Sequence, residues 1–257
     1  MVFVQRIDNG TYLTPSETDL RDLYEYPAGL EAPCIRLNFV ASIDGAATDD
    51  GKSAGLGTPA DKHVFEVLRD LTDAVLVGSG TARAENYGGV VVSDEARAWR
   101  VAHDRAAVPP IVVVTSSANV DPTSKLVTGA EIAPIVVTLE SAPTDRIRAL
   151  RDAGATVITT PGETVGSHDI RDALADAGLM RILCEGGPSL FGQLLDDDMV
   201  DELCVTTSPT LVAGDAGRIA RSSTTRSRPM RPAHILTDDD GTILVRWVRE
   251  HPGTAKA

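Results

Sequence analysis

The sequence predicts an α/β fold with a mostly parallel sheet covered by helices on both faces. Short apolar runs at 74–77, 111–114, 135–137, 157–158 and 181–184 each stop at glycines or small hydroxyl residues. Amphipathic stretches of helical length lie between them, at about 93–104, 144–153, 167–177 and 189–196. The chain has 257 residues, 42% hydrophobic and 24% charged, enough for one core without disulfides or metals.

Taken in order, residues 1–33 read as an N-terminal extension with one short helix. Ser16-Glu17-Thr18-Asp19 is a helix start, Leu20, Leu23 and Tyr24 form an apolar face, and Pro27 and Gly29 end it. The first strand of the body covers 34–40, followed by a turn at Gly45 and a loop over 49–57. Thr58 is placed to cap a helix, with Pro59 at its first position and Asp61 near the positive end of its dipole. The βα repeats follow. Beyond them come a strand at 203–206, a glycine-rich loop over 209–217, a basic polar stretch over 221–232, and a terminal hairpin of 234–237 with 242–248. The body of the chain thus spans 34–250, and 251–257 reads as a flexible tail.

Composition excludes several functions. A formal net charge of −13 disfavours nucleic acid and anionic membrane surfaces, which call for basic patches. No run approaches the length of a membrane span and no leader is evident, so a cytoplasmic location is expected. Cys34, Cys184 and Cys204 sit far apart in apolar runs and read as buried free thiols in a reducing compartment. The five histidines show no metal-ligand spacing, and the zinc-deaminase, GxSxG and Walker patterns are missing.

Two glycine-rich turns stand out. Gly78-Ser79-Gly80-Thr81 and Glu185-Gly186-Gly187-Pro188-Ser189-Leu190 each follow a strand, and glycine lets backbone N–H groups approach a phosphate. Tight turns with nothing bound would look the same, and neither matches GxGxxG. Asp44, Glu85 and Glu185 are the acids near strand ends, where a carboxylate can hold a ring nitrogen or sugar hydroxyls, or relay a proton. An exposed loop carboxylate is the plainer alternative for each.

Together with Phe39-Val40-Ala41-Ser42-Ile43-Asp44-Gly45, these turns, in this order, resemble the pyrimidine reductase family of riboflavin biosynthesis, the C-terminal domain of RibD. The resemblance implies a dihydrofolate-reductase-like fold: a twisted, mostly parallel sheet flanked by helices, with antiparallel C-terminal strands. It implies a homodimer, and NADPH lying across the strand ends on Thr58, Gly78, Gly80, Thr81, Thr115, Ser116, Gly186, Gly187, Ser189 and Leu190. The polar Thr115-Ser116-Ser117 cluster favours NADPH over NADH. Substrate contacts fall to Asn38, Ser42, Asp44, Glu85 and Glu185. The implied reaction is reduction of a ribosylaminopyrimidine phosphate by hydride transfer to C1′ of the opened sugar. Members with an N-terminal zinc deaminase carry a motif that this sequence lacks, so a reductase alone is expected.

The sequence departs from the family where the substrate phosphate would lie. Ala84-Glu85-Asn86-Tyr87-Gly88-Gly89 replaces an Asp-(Asp/Asn)-Pro-x-Leu pattern, with no arginine before Arg97, and Ala46 replaces a basic residue. A pterin such as dihydrofolate is therefore the alternative substrate, and a nucleotide-binding module without catalysis is the alternative of a different class.

Overall fold

The computed structural model describes residues 4–6 and 16–250; the expected flexible tail at 251–257 lies outside the described residues. The chain runs through β1 (Val4–Arg6), α1 (Glu17–Tyr24), β2 (Cys34–Ser42), α2 (Pro59–Leu71), β3 (Ala74–Gly78), α3 (Ser79–Ala84) and α4 (Asp94–Ala102). It continues through β4 (Ile111–Val114), α5 (Lys125–Thr128), β5 (Ile135–Leu139), α6 (Thr144–Asp152), β6 (Thr156–Thr160) and α7 (Ser167–Asp176). The last elements are β7 (Arg181–Cys184), α8 (Pro188–Asp196), β8 (Glu202–Ser208), β9 (Met230–Asp238) and β10 (Ile243–Arg249).

These strands form one sheet in the order β1-β9-β10-β8-β2-β7-β3-β4-β5-β6. From β8 to β6 every pairing is parallel, whereas β8, β10, β9 and β1 pair antiparallel. The predicted mostly parallel sheet with antiparallel C-terminal strands is therefore the observed one. Alternate residues of the central strands bury on opposite faces. Ala74 and Leu76 join a core with Ile170, Leu174, Leu190 and Leu194 from α7 and α8, while Val75 and Val77 face Ala82, Val90 and Leu126. Burial on both faces is why these strands read as unbroken apolar runs.

The described residues ahead of 34 pack into this fold. β1 is an edge strand on β9, and Leu20 and Tyr24 of α1 share a core with Val64, Leu68 and Leu71 of α2. Arg36 of β2 and Arg246 of β10 hold the two oxygens of Glu202 at 2.6 and 2.7 Å. The same guanidinium groups donate to the carbonyls of Tyr24 and Leu23 at the end of α1. No sequence pattern signalled this tie, which joins residues far apart along the chain. α3 and α5 were not foreseen either, being too short for a periodic signal. β9 starts earlier than predicted, taking in the end of the basic stretch.

Candidate active site

Helix α2 begins where its caps predicted. The Thr58 hydroxyl accepts from the Asp61 N–H at 3.2 Å, and Pro59 occupies the first turn. The helix has two faces. Ala60, Val64, Val67, Leu68 and Leu71 are buried in the core. Thr58, Lys62, Phe65 and Arg69, spaced by four, three and four residues, line a cavity of about 890 Å³. The same cavity is lined by Asn38 of β2, by Thr81, Glu85 and Tyr87 from α3 and the turn after it, and by Glu185 and Gly187 after β7. It lies at the carboxyl ends of the parallel strands, where ligands collect in such sheets. A second cavity, of about 580 Å³, lies at their amino ends beside Asp73, Pro110 and Met180, away from both glycine turns.

At the cavity wall Arg69 grips Glu185 through two bonds, Nε to Oε1 at 2.7 Å and Nη2 to Oε2 at 2.8 Å. The Tyr87 hydroxyl donates to Oε2 at 2.8 Å, and Phe65 lies 4.2 Å from the Arg69 guanidinium, ring against cation. Burial, then the Glu185 charge, push the Tyr87 phenol up, so it stays a donor. Arg69 thus brings from α2 the guanidinium that the stretch after Glu85 lacks, but binds it to a carboxylate.

Glu85 accepts from the Ser53 N–H at 3.2 Å and from the Ser53 hydroxyl at 3.0 Å, holding the 53–55 turn against the cavity. Burial pushes the Asp61 carboxyl up, against a hydrogen bond from Thr206. Lys62 is exposed and forms no ion pair among the described residues. The Asn38 side chain has no hydrogen-bond partner among the described residues.

The structure brings together six residues expected from the sequence: Asn38, Thr58, Thr81, Glu85, Glu185 and Gly187. Gly78, Gly80, Gly186, Ser189 and Leu190 build the adjoining turns, joined where the Gly78 N–H donates to the Gly186 carbonyl at 2.8 Å. Four expected contacts, Asp44, Ser42, Thr115 and Ser116, lie outside the cavity lining. Asp44 accepts from the Ser42 hydroxyl and from the N–H groups of Val212 and Ala213, outside the cavity lining. Those donors, Ser42 first, hold its carboxyl down at about 2. Ser42 is occupied by the same turn and also accepts from the Ala46 N–H. Thr115 is buried, its hydroxyl accepting from the Asn119 N–H at 3.2 Å, whereas Ser116 is exposed. Lys62, Phe65, Arg69 and Tyr87 were missed. The polar stripe along α2 was legible as spacing, but nothing in the sequence says which way that stripe faces.

The two turns suit a diphosphate. α8 starts at Gly187 with no side-chain cap and Pro188 at its first position, leaving its first N–H groups to an anion. A Cβ on Gly187 would come within 2.1 Å of Thr81 Oγ1, and Gly186 has φ +109° with the Phe39 ring 3.3 Å from its Cβ position. Packing against Thr81 and Phe39 thus excludes side chains from both positions of this turn. No group of His, Cys, Asp and Glu among the described residues could hold a metal ion, and no described helix is long and apolar enough to cross a membrane.

Residues 33–244 match the RibD C-terminal domain family. A 2,5-diamino-6-ribosylamino-4(3H)-pyrimidinone 5′-phosphate reductase of Archaeoglobus fulgidus is 28% identical over 183 residues, covering 71% of this chain and 83% of its own. The riboflavin biosynthesis protein RibD of Chlamydia pneumoniae is 30% identical over 203 residues, 76% of this chain; the chain spans 50% of that protein's length. Among solved structures, a pyrimidine reductase-like protein from Corynebacterium diphtheriae superposes with TM-score 0.79 at 29% identity, covering 85% of this chain and 92% of its own. The Saccharomyces cerevisiae riboflavin biosynthesis reductase Rib7 shares the fold with TM-score 0.65 at 18% identity, covering 89% and 97%.

Proposed function

The chain belongs to the RibD C-terminal domain family, and on that premise we propose that it is an NADPH-dependent reductase acting on a ribosylaminopyrimidine 5′-phosphate. The observation that carries this reading is the convergence of Asn38, Thr81, Glu85, Glu185 and Gly187, from separate strand ends, on one cavity beside two glycine turns. The activity of the Archaeoglobus relative supports the choice of substrate.

When bound, the nicotinamide coenzyme supplies the hydride. The protein binds and orients. The uncapped start of α8 and the Gly78–Thr81 turn would hold the diphosphate. The Asn38 amide can both donate to and accept from the edge of a pyrimidine ring. Phe65 offers a flat apolar wall, and the Arg69–Glu185–Tyr87 unit fixes its position. Lys62 would meet the substrate phosphate. A homodimer, as the family resemblance implies, belongs to the proposal.

One observation favours the pterin reading. Lys62 and Arg69 are the cations of the cavity wall, and Arg69 is bound to Glu185, a thin complement for a phosphate dianion. The test is a direct comparison of kcat/KM with NADPH on the ribosylaminopyrimidine 5′-phosphate and on dihydrofolate. Turnover of the pyrimidine is expected. An inert pyrimidine with dihydrofolate reduced would replace this reading with the pterin one. Coenzyme binding with neither substrate reduced would leave a nucleotide-binding module.

A further inference from the structure

Residues 209–229 connect β8 to β9 without a helix or strand of their own. A connection of that length inside a packed domain usually serves a function. This one is fastened at two places. The first is the turn after β2, where the Ile43 N–H donates to the Thr210 carbonyl and the Ala47 N–H to the Gly217 carbonyl, each at 2.9 Å. Between those bonds Asp44 accepts from the Val212 N–H through Oδ1 at 3.2 Å and from the Ala213 N–H through Oδ2 at 2.7 Å. The second place is the start of α8. There the Arg221 N–H donates to the Pro188 carbonyl at 2.9 Å, and a Cβ on Gly192 would come within 2.0 Å of the Arg221 carbonyl oxygen. Ile219 and Ala220 pack against the core that holds Leu190 and Phe191. Ala47 and Pro188 both line the cavity, so residues 210–221 form a strap joining two parts of its wall.

The strap is strained at the residue that Asp44 holds. Ala213 has φ +58°, in the left-handed region that residues other than glycine rarely enter, and Gly214 follows at +70°. Such a conformation persists only where its surroundings impose it. Asp44 is well placed to do so, because its own carboxylate is fixed from below. The Ser42 hydroxyl donates to Asp44 Oδ1 and accepts from the Ala46 N–H at 2.9 Å. Bonds from N–H groups to a charged oxygen are also stronger than those between neutral groups.

We infer that Asp44 is a positioning residue: it latches the strap to the turn after β2 and thereby sets how fast a ligand seated in the cavity leaves. Asp44 touches no ligand in this role. It acts through Val212 and Ala213 on the strap, and through the strap on Ala47 and Pro188. With the latch broken, the strained stretch relaxes, the turn at 43–47 loses its hold on α8, and the wall opens more often. That the ligand is a dinucleotide rests on the coenzyme reading above. An acid near a strand end was legible in the sequence, but its partners lie 168 and 169 positions away.

The experiment compares the wild type with Asp44→Asn and Asp44→Ala by two readouts. Hydrogen exchange without ligand reads the latch. Protection of the Val212 and Ala213 amides should be lost in Asp44→Ala and kept in part by Asp44→Asn, which retains one acceptor oxygen. Unchanged protection in β4 and β7 shows that the variants fold. Stopped-flow kinetics then reads the consequence for NADPH. Asp44→Ala should release it about 10-fold faster, with association nearly unchanged, and Asp44→Asn should fall between. Lost protection with unchanged release would overturn the inference and leave the coenzyme reading standing. So would full protection at Val212 and Ala213 in Asp44→Ala, or a loss of affinity carried by slower association, which marks a distorted site and not an opened latch. A wild type that binds no NADPH would overturn the coenzyme reading and the inference with it.

Discussion

Glu185 shows how a residue's role follows from what it touches. As a carboxylate beside a cavity it could meet a substrate, yet Arg69 and Tyr87 engage both of its oxygens and its side chain is 2% exposed. Removing one partner of a buried pair leaves the other charge stranded. Arg69→Ala is expected to cost about 3–5 kcal/mol of stability, and Tyr87→Phe about 1.5–3 kcal/mol, both read by urea unfolding. A loss under 1 kcal/mol for Arg69→Ala would mean that Glu185 is solvated and open to substrate. Asp44 acts at the same scale. Its carboxyl titrates at about 2, below the unfolded value near 3.9. The unfolded state therefore takes up the proton first, and the contribution of Asp44 is complete above about pH 4 and fades as pH falls toward 2. Carbon-detected NMR titration should find this group still ionised at pH 3; a midpoint near 3.9 would show that the Val212 and Ala213 bonds do not hold in solution.

Among the elements, α8 and its turn combine position and tolerance most tightly. Gly187→Ala is compatible with the backbone there, but its Cβ would meet Thr81 Oγ1. Forced overlap of this kind costs about 1–3 kcal/mol. Adding Thr81→Ala removes the clashing oxygen and is expected to restore stability, measured as the midpoint of thermal unfolding. A double variant no more stable than the single one would place the conflict elsewhere. Helix α2 was legible because its cap, its proline and its apolar stripe agree. α3 and α5 have too few residues to show a period, and their existence depends on Ala82 and Leu126 reaching the core beside Val75 and Val77.

Across the whole molecule, the Arg36–Glu202–Arg246 network joins α1, β2, β8 and β10. Burial pushes the Glu202 carboxyl up, but the two arginines outweigh it and hold it below its usual range. Glu202→Gln would leave two buried cations facing each other, and global stability is expected to fall by about 3–5 kcal/mol. If α1 were a detachable extension, the same variant would release it, visible as local hydrogen exchange in residues 17–24 with the rest of the sheet unchanged. The packing of Leu20 and Tyr24 against α2 favours a single cooperative loss.

By itself the sequence determined the alternation of buried strands and amphipathic helices, the terminal hairpin, the helix caps, and the two glycine turns at strand ends. Each of these is written in neighbouring residues, through periodicity, capping chemistry or the missing side chain of glycine. Only the tertiary structure decided that α1 is fastened into the sheet, that Arg69 reaches Glu185 across 116 positions, and that Asp44 ties a loop instead of facing the cavity. Those outcomes depend on which side chains become neighbours when distant segments pack, and a charged residue carries no local mark of the partner it will find.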